Sequence, residues 1–227
     1  MKRSALLVAA SLLLLAVAAG LAQEGTSAPE GTSAPPVVPQ KKIELFNGKD
    51  FTGWKMFLRE PDVDVTTVWS VKDGVIHCVG DPRGYIRTTT DYANYKLRLE
   101  WRWAGEKPGN SGVLLHMSEP DKVWPRSIEG QLANRNAGDF YVIGGTEFKE
   151  HMGVEGRRVP KKHESNEKPP GEWNVFEAVC QGDTIRVSIN GLLQNEATEC
   201  NVTSGKICLQ SEGAPIEFRN IALEPAK

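Results

Sequence analysis

The sequence predicts an all-β domain, an antiparallel double-sheet sandwich or jelly roll, on three observations. The run "YKLRLEWRW" alternates without a break, with Tyr95, Leu97, Leu99, Trp101 and Trp103 on one face and Lys96, Arg98, Glu100 and Arg102 on the other. That is the period of a strand buried on one side only. Strand-like runs also recur at short spacing, separated by turn dipeptides such as Asp73-Gly74, Gly182-Asp183 and Asn190-Gly191. Gly and Asn accept the positive φ that tight hairpins need. Finally, beyond the first 22 residues no stretch shows helical periodicity. Many short strands with turns between them bury two inner faces against each other and leave an outer face free to bind a ligand.

The elements follow in order. Met1-Lys2-Arg3 and the apolar run "ALLVAASLLLLAVAAGLA" read as a signal peptide over 1–22, cut after Ala22, because a basic start precedes an apolar core with small residues at its end. The run is short for a membrane span, so no membrane insertion of the mature chain is expected and the protein is placed outside the cytoplasm, secreted or periplasmic. Residues 23–40 carry a tandem EGTSAP repeat at 24–29 and 30–35, too poor in bulky side chains to build a core, and read as a linker. One domain is expected over 41–227.

Within it, "VWSVKDGVIHCVG" reads as two strands, "FEAVCQGDTIRVSINGLLQNEA" as three, and "GKICLQSEG" and "IEFRNIALEP" as the last pair. The polar segment 149–171 interrupts this pattern and reads as a lid or rim. Trp54 and Trp173 read as core residues, and Asn110-Ser111-Gly112 and Gly138-Asp139 as turns.

Removing residues 1–22 takes away Lys2 and Arg3 and leaves 25 basic against 29 acidic residues, a formal net charge of −4. Such a chain has no general attraction for nucleic acid or anionic lipid. Cys78, Cys180, Cys200 and Cys208 contain no C-x-x-C spacing and so give no zinc signal. In an oxidising compartment they allow three disulfide pairings, or stand as small buried apolar groups.

Five blocks, "ELFNGKDFTGWK", "NSGVLLH", "SIEGQLANRNAGDFYVIGG", "GEWNVFEAVCQGDTIRVSINGLLQN" and "GKICLQSEGAPIEFRNIAL", together resemble the bacterial 3-keto-disaccharide hydrolase domain family. The resemblance implies a concanavalin A-like jelly roll and action on glycosides oxidised to a ketone at carbon 3. A jelly-roll glucanase carries its acids on one strand as E-x-D-x-x-E; here the same spacing holds Glu129, Gln131 and Asn134, so two acids are replaced by amides. A two-acid glycosidase needs both.

A 3-keto sugar has a different demand. Its ketone acidifies the hydrogen on carbon 2, so one base, one acid for the leaving oxygen and a positive group for the enediolate suffice. A divalent cation held by oxygen and imidazole ligands would supply that charge, and Glu129 and His116 are the expected ligands or bases. Gln131, Asn134, Arg102 and Lys149 are expected to bind hydroxyls, and Trp124 to stack on the sugar ring. Glu147, Lys149 and His151 share a face if "GTEFKEH" is extended, and would add acid and base groups from the rim. The rival readings are a non-catalytic carbohydrate-binding module and a conventional glucanase. Each has carbohydrate as its partner.

Overall fold

The computed structural model describes residues 34–226. The expected signal peptide and most of the expected linker lie outside the described residues. Sixteen strands follow in chain order. The first eight are β1 Ile43–Glu44, β2 Trp54–Leu58, β3 Trp69–Lys72, β4 Val75–Cys78, β5 Gly84–Thr88, β6 Tyr92–Ala93, β7 Tyr95–Trp103 and β8 Gly112–Met117. The second eight are β9 Ser127–Gln131, β10 Phe140–Ile143, β11 Arg158–Val159, β12 Asn174–Gln181, β13 Thr184–Ile189, β14 Leu192–Ala197, β15 Ser204–Ser211 and β16 Ile216–Pro225.

They form two antiparallel sheets. The first runs β14-β13-β12-β7-β16-β4-β3, with β1 on β16; the second runs β11-β10-β9-β8-β15-β5-β2, with β6 on β15. The predicted sandwich is therefore the observed one. The hairpins fall where the turn dipeptides stand: Asp73 and Gly74 have φ of 51° and 75°, Asn190 and Gly191 of 47° and 81°. Two short 3-10 turns, Val65–Thr67 and Lys149–His151, are the helical elements among the described residues.

The core lies between the sheets. Leu97, Leu99, Trp101 and Phe176 of the first sheet meet Val113, Leu115, Ile128 and Leu209 of the second. Each such fully buried side chain contributes about 1.5–3 kcal/mol over its exposed state. Contact is close enough that Gly130 of β9 admits no side chain: a Cβ there would lie 2.8 Å from Phe176 Cζ. Because the strand period is two, burying Ile128 and Gly130 turns Glu129 and Gln131 to the opposite, outer face of the second sheet.

A second apolar cluster sits on that outer face, made of Tyr85, Leu114, Met117, Ile143 and Cys208, with Phe57 and Trp124 against it. All four cysteines are buried thiols, unpaired with one another, in line with the apolar reading.

Two expectations require correction here. The linker does not end at residue 40. Val37 N–H donates to Asp91 O at 2.8 Å and Ala93 N–H to Val37 O at 3.0 Å, a parallel bridge to β6, and Pro39 is buried. Trp173 is not a core residue: it lies half-buried, with the Arg102 and Arg219 guanidinium groups 4.5 and 4.0 Å from its ring centroid.

Candidate active site

The outer face of the second sheet holds a cavity of about 280 Å³ lined by Arg83, Asn110, Trp124, Glu129, Gln131, Tyr141, Ile143, Arg157 and Glu212. It is at the small end of ligand pockets. Larger hollows occur elsewhere, of about 490 Å³ around Lys96 and Val179 and about 500 Å³ around Asn134 and Glu167. The second of these also sets Glu164 and Glu167 beside Arg135 and Lys168, but there Glu167 Oε1 already accepts from Ala137 N–H and Ser165 Oγ–H, whereas Glu129 Oε1 is buried without a partner, so chemistry rather than size singles out the smaller cavity.

Its floor comes from strands. Glu129 is 4% exposed and stands opposite Tyr141 across the β9–β10 pair and opposite Leu114 across β8–β9. Gln131 Oε1 accepts from the backbone N–H groups of Leu132 and Ala133, both at 2.8 Å. Its oxygen is thus committed to closing the strand end, and the amide N–H₂ is what it can offer a ligand. The walls come from loops: Arg83 precedes β5, Trp124 lies between β8 and β9, Arg157 precedes β11 and Glu212 follows β15. The segment 149–171 therefore serves as a rim, through Arg157.

Electrostatics couple these groups. Burial, reinforced by the neighbouring Glu212 charge and opposed by Arg157, pushes the Glu129 carboxyl from 4.5 up to about 8. Burial also raises the Glu212 carboxyl, against the pull of Arg83 and Arg157. Two carboxyl groups that repel each other in one cavity disfavour the state in which both are charged, and the two guanidinium groups oppose their neutralisation. Where β9 has Gln131, a second carboxyl group enters the cavity from the end of β15.

Of the sequence-predicted residues, the cavity gathers Glu129, Gln131 and Trp124. It does not gather His116. A backbone φ of 54° there, opposite a register shift in β15, breaks the alternation of β8 and turns the ring inward. The imidazole is fully buried, packs edge-on against Tyr95 of the first sheet at 5.7 Å, and has Nδ1 3.3 Å from Val202 O. Glu129 and His116 thus lie on opposite sides of one sheet and cannot ligate a common cation. Among the described residues, no three His, Cys, Asp or Glu side chains cluster as metal ligands.

Arg102 belongs to the outer face of the first sheet, across the whole sandwich from Glu129, where Nε donates to Glu217 Oε2 at 2.5 Å. The polar face of β7 is real, but it is not the face that holds the cavity. Asn134 lines the separate hollow beside Glu167.

Residues 147–151 are not extended. A 3-10 turn pairs His151 Nδ1 with Glu147, places His151 Nε2 2.9 Å from Gly156 O, and ties Lys149 Nζ to Glu199 at 2.7 Å. None of the three lines the cavity. Asn110, read as a turn residue, does line it, with Oδ1 buried and unpartnered.

Arg83, Tyr141, Arg157 and Glu212 were not singled out by sequence reasoning. The available signal was weak: Tyr141 and Glu212 sit inside the resembling blocks, and Arg157 inside the anomalous polar segment.

Known proteins share the sequence pattern and the fold of this chain. A 3-keto-disaccharide hydrolase of Bacteroides thetaiotaomicron is 24% identical over 170 residues, which cover 66% of this chain and 56% of that protein, so the match spans little more than half the relative's length. A candidate glycosyl hydrolase from Parabacteroides distasonis superposes with a TM-score of 0.62 at 26% identity, over 83% of this chain and 95% of that one. A Bacillus licheniformis β-glucanase superposes with a TM-score of 0.54 at 12% identity, over 82% and 99% of the two chains, which shows a common fold alone. Matching from residue 41 to residue 224, the chain belongs to the 3-keto-alpha-glucoside-1,2-lyase-like domain family.

Proposed function

We propose that this protein is a carbohydrate-active enzyme that cleaves 3-keto-glycosides by carbon-2 deprotonation, elimination and hydration, with Glu129 as acid and Glu212 as base. The observation that carries this reading is the pairing of a neutral buried carboxyl group with a second carboxyl group beside two arginines in one cavity. Export by the leader read in residues 1–22 belongs to the same proposal.

The residues divide the work as follows. Glu212 removes the hydrogen from carbon 2, which the neighbouring ketone has acidified, and an enediolate forms. Arg83 and Arg157 face the developing oxyanion and take the part expected of a cation. The electrons of the enediolate then form the carbon 1–carbon 2 double bond as the bond from carbon 1 to the aglycone oxygen breaks. Glu129 gives that oxygen its proton. Water adds to carbon 1, losing a proton to Glu129, while Glu212 returns its proton to carbon 2. Both carboxyl groups end as they began, and the net reaction is hydrolysis. Trp124 provides an apolar wall for the ring, and the Gln131 amide a donor for a hydroxyl.

One assay tests the reading. The protein should release p-nitrophenol from the 3-keto-glucoside and leave the unoxidised glucoside intact, with deuterium at carbon 2 slowing release severalfold. Equal cleavage of both glucosides would point to an oxocarbenium route instead. Sugar binding without cleavage of either would point to a binding module.

A further inference from the structure

Gln210 stands beside Glu129 with its amide oxygen facing no donor. It is 2% exposed and lies on β15, and its Oε1, like Glu129 Oε1, is buried without a hydrogen-bonding partner. Both oxygens approach the same point. A Cβ built on Gly112, on the intervening strand β8, would lie 2.2 Å from Glu129 Oε1 and 2.3 Å from Gln210 Oε1, so the two oxygens are at most about 4.5 Å apart. Gly112 has no left-handed φ. It is there for space, not for backbone conformation. Two bare acceptors facing each other in a buried hollow would each go unsatisfied, and a single proton between them satisfies both.

We propose that Glu129 donates a carboxylic O–H to the Gln210 amide oxygen across the hollow left open by Gly112, and that Gln210 thereby holds Glu129 as the resting acid of the site. Gln210 acts through Glu129 and is a positioning residue. The charged and titratable groups facing Glu129 are Tyr141 from β10, Glu212 after β15, and Arg83 and Arg157 from the rim. None of them reaches Oε1. Burial and Glu212 favour the proton-bound form, and Arg157 alone opposes it. The part this plays in catalysis rests on the proposed elimination; the hydrogen bond itself does not.

The experiment is a carbon-13 titration of glutamate carboxyl groups in the substrate-free mature protein, with the Glu129 signal identified by its loss in Glu129→Gln. Glu129 should be protonated at pH 7. Gly112→Ala drives the two oxygens apart, and Gln210→Met removes the acceptor at similar volume; each should lower the midpoint by about one unit, the worth of one hydrogen bond. The alkaline limb of kcat/KM on the 3-keto-glucoside should move down with it. Ionised Glu129 at pH 7 in the wild type, as an amide turned to donate Nε2–H would produce, overturns the proposal. So does a midpoint unchanged or raised in both folded variants. Failure of the elimination reading is distinguishable, because it would leave the titration intact while no product is released.

Discussion

Arg87 of β5 grips Asp121 of the 118–126 loop through two hydrogen bonds, Nε to Oδ1 at 2.7 Å and Nη2 to Oδ2 at 3.0 Å. Tyr85 Oη and Lys55 Nζ also donate to that carboxylate, at 3.0 and 2.9 Å. The loop carries Trp124, so this buried ion pair fixes one wall of the cavity to the sheet beneath it. Arg87→Met leaves Asp121 short of its main partner and should destabilise the fold by about 3–5 kcal/mol. If the pair positions Trp124, KM for the 3-keto-glucoside should rise more than kcat falls. A urea melt and steady-state kinetics on the same preparation check this; unchanged KM would show that the wall stands without the ion pair.

Glu129 makes stability depend on pH in a definite direction. Its folded-state value of about 8 lies above the ordinary 4.5, so the fold accepts the neutral form. That contribution is fully present below about pH 4.5 and is lost as pH rises through 8. Glu129→Gln is neutral throughout and should be more stable than the wild type above pH 8, on the order of a few kcal/mol. Turnover on the 3-keto-glucoside should fall at least about 100-fold. Denaturant melts at pH 5 and pH 9 measure the first effect, and parallel stability curves would refute it.

His116 works in the opposite sense. Burial pulls its imidazole from 6.5 down to about 4. The folded value is depressed, so the protein loses stability as pH falls from about 6.5 through 4, where the unfolded chain binds a proton that the fold rejects. His116→Asn keeps a residue tolerant of the positive φ and removes the titration. Its stability curve should be flatter between pH 6.5 and 4, and activity at pH 7 per folded molecule should persist.

Truncation probes the docked tail. Removing residues up to 33 should leave the melting temperature unchanged. Removing residues up to 40 deletes the Val37 bridge to β6 and its two backbone hydrogen bonds. The cost should be on the order of 1–2 kcal/mol, or about 3–6 °C. Coincident melting curves for the two truncations would show that the bridge contributes nothing.

Much of this architecture is legible in local chemistry. Asp73-Gly74 and Asn190-Gly191 announce their hairpins because few residues accept their backbone angles, and the alternation in β7 and β9 announces which side chains share a face. What alternation cannot say is which sheet a polar face belongs to, and so Arg102 and Glu129 look equivalent until the strands are paired. His116 misleads because a single positive φ reverses the pattern within β8. Glu212, Arg83 and Arg157 meet Glu129 only through long-range antiparallel pairing, and no spacing in the chain encodes that meeting.

Glu129 and its amide neighbour Gln210 stand on hydrogen-bonded strands, whereas Arg83, Trp124 and Arg157 arrive on three separate turns. Turns accept insertion and exchange far more readily than the ladder that carries the floor. On the proposed reading, new leaving groups would be accommodated by recutting the turns alone. On the proposed elimination, grafting a different 152–157 segment would change what faces the aglycone while β9 and β15 keep their register, so that one pair of carboxyl groups would serve a repertoire of leaving groups.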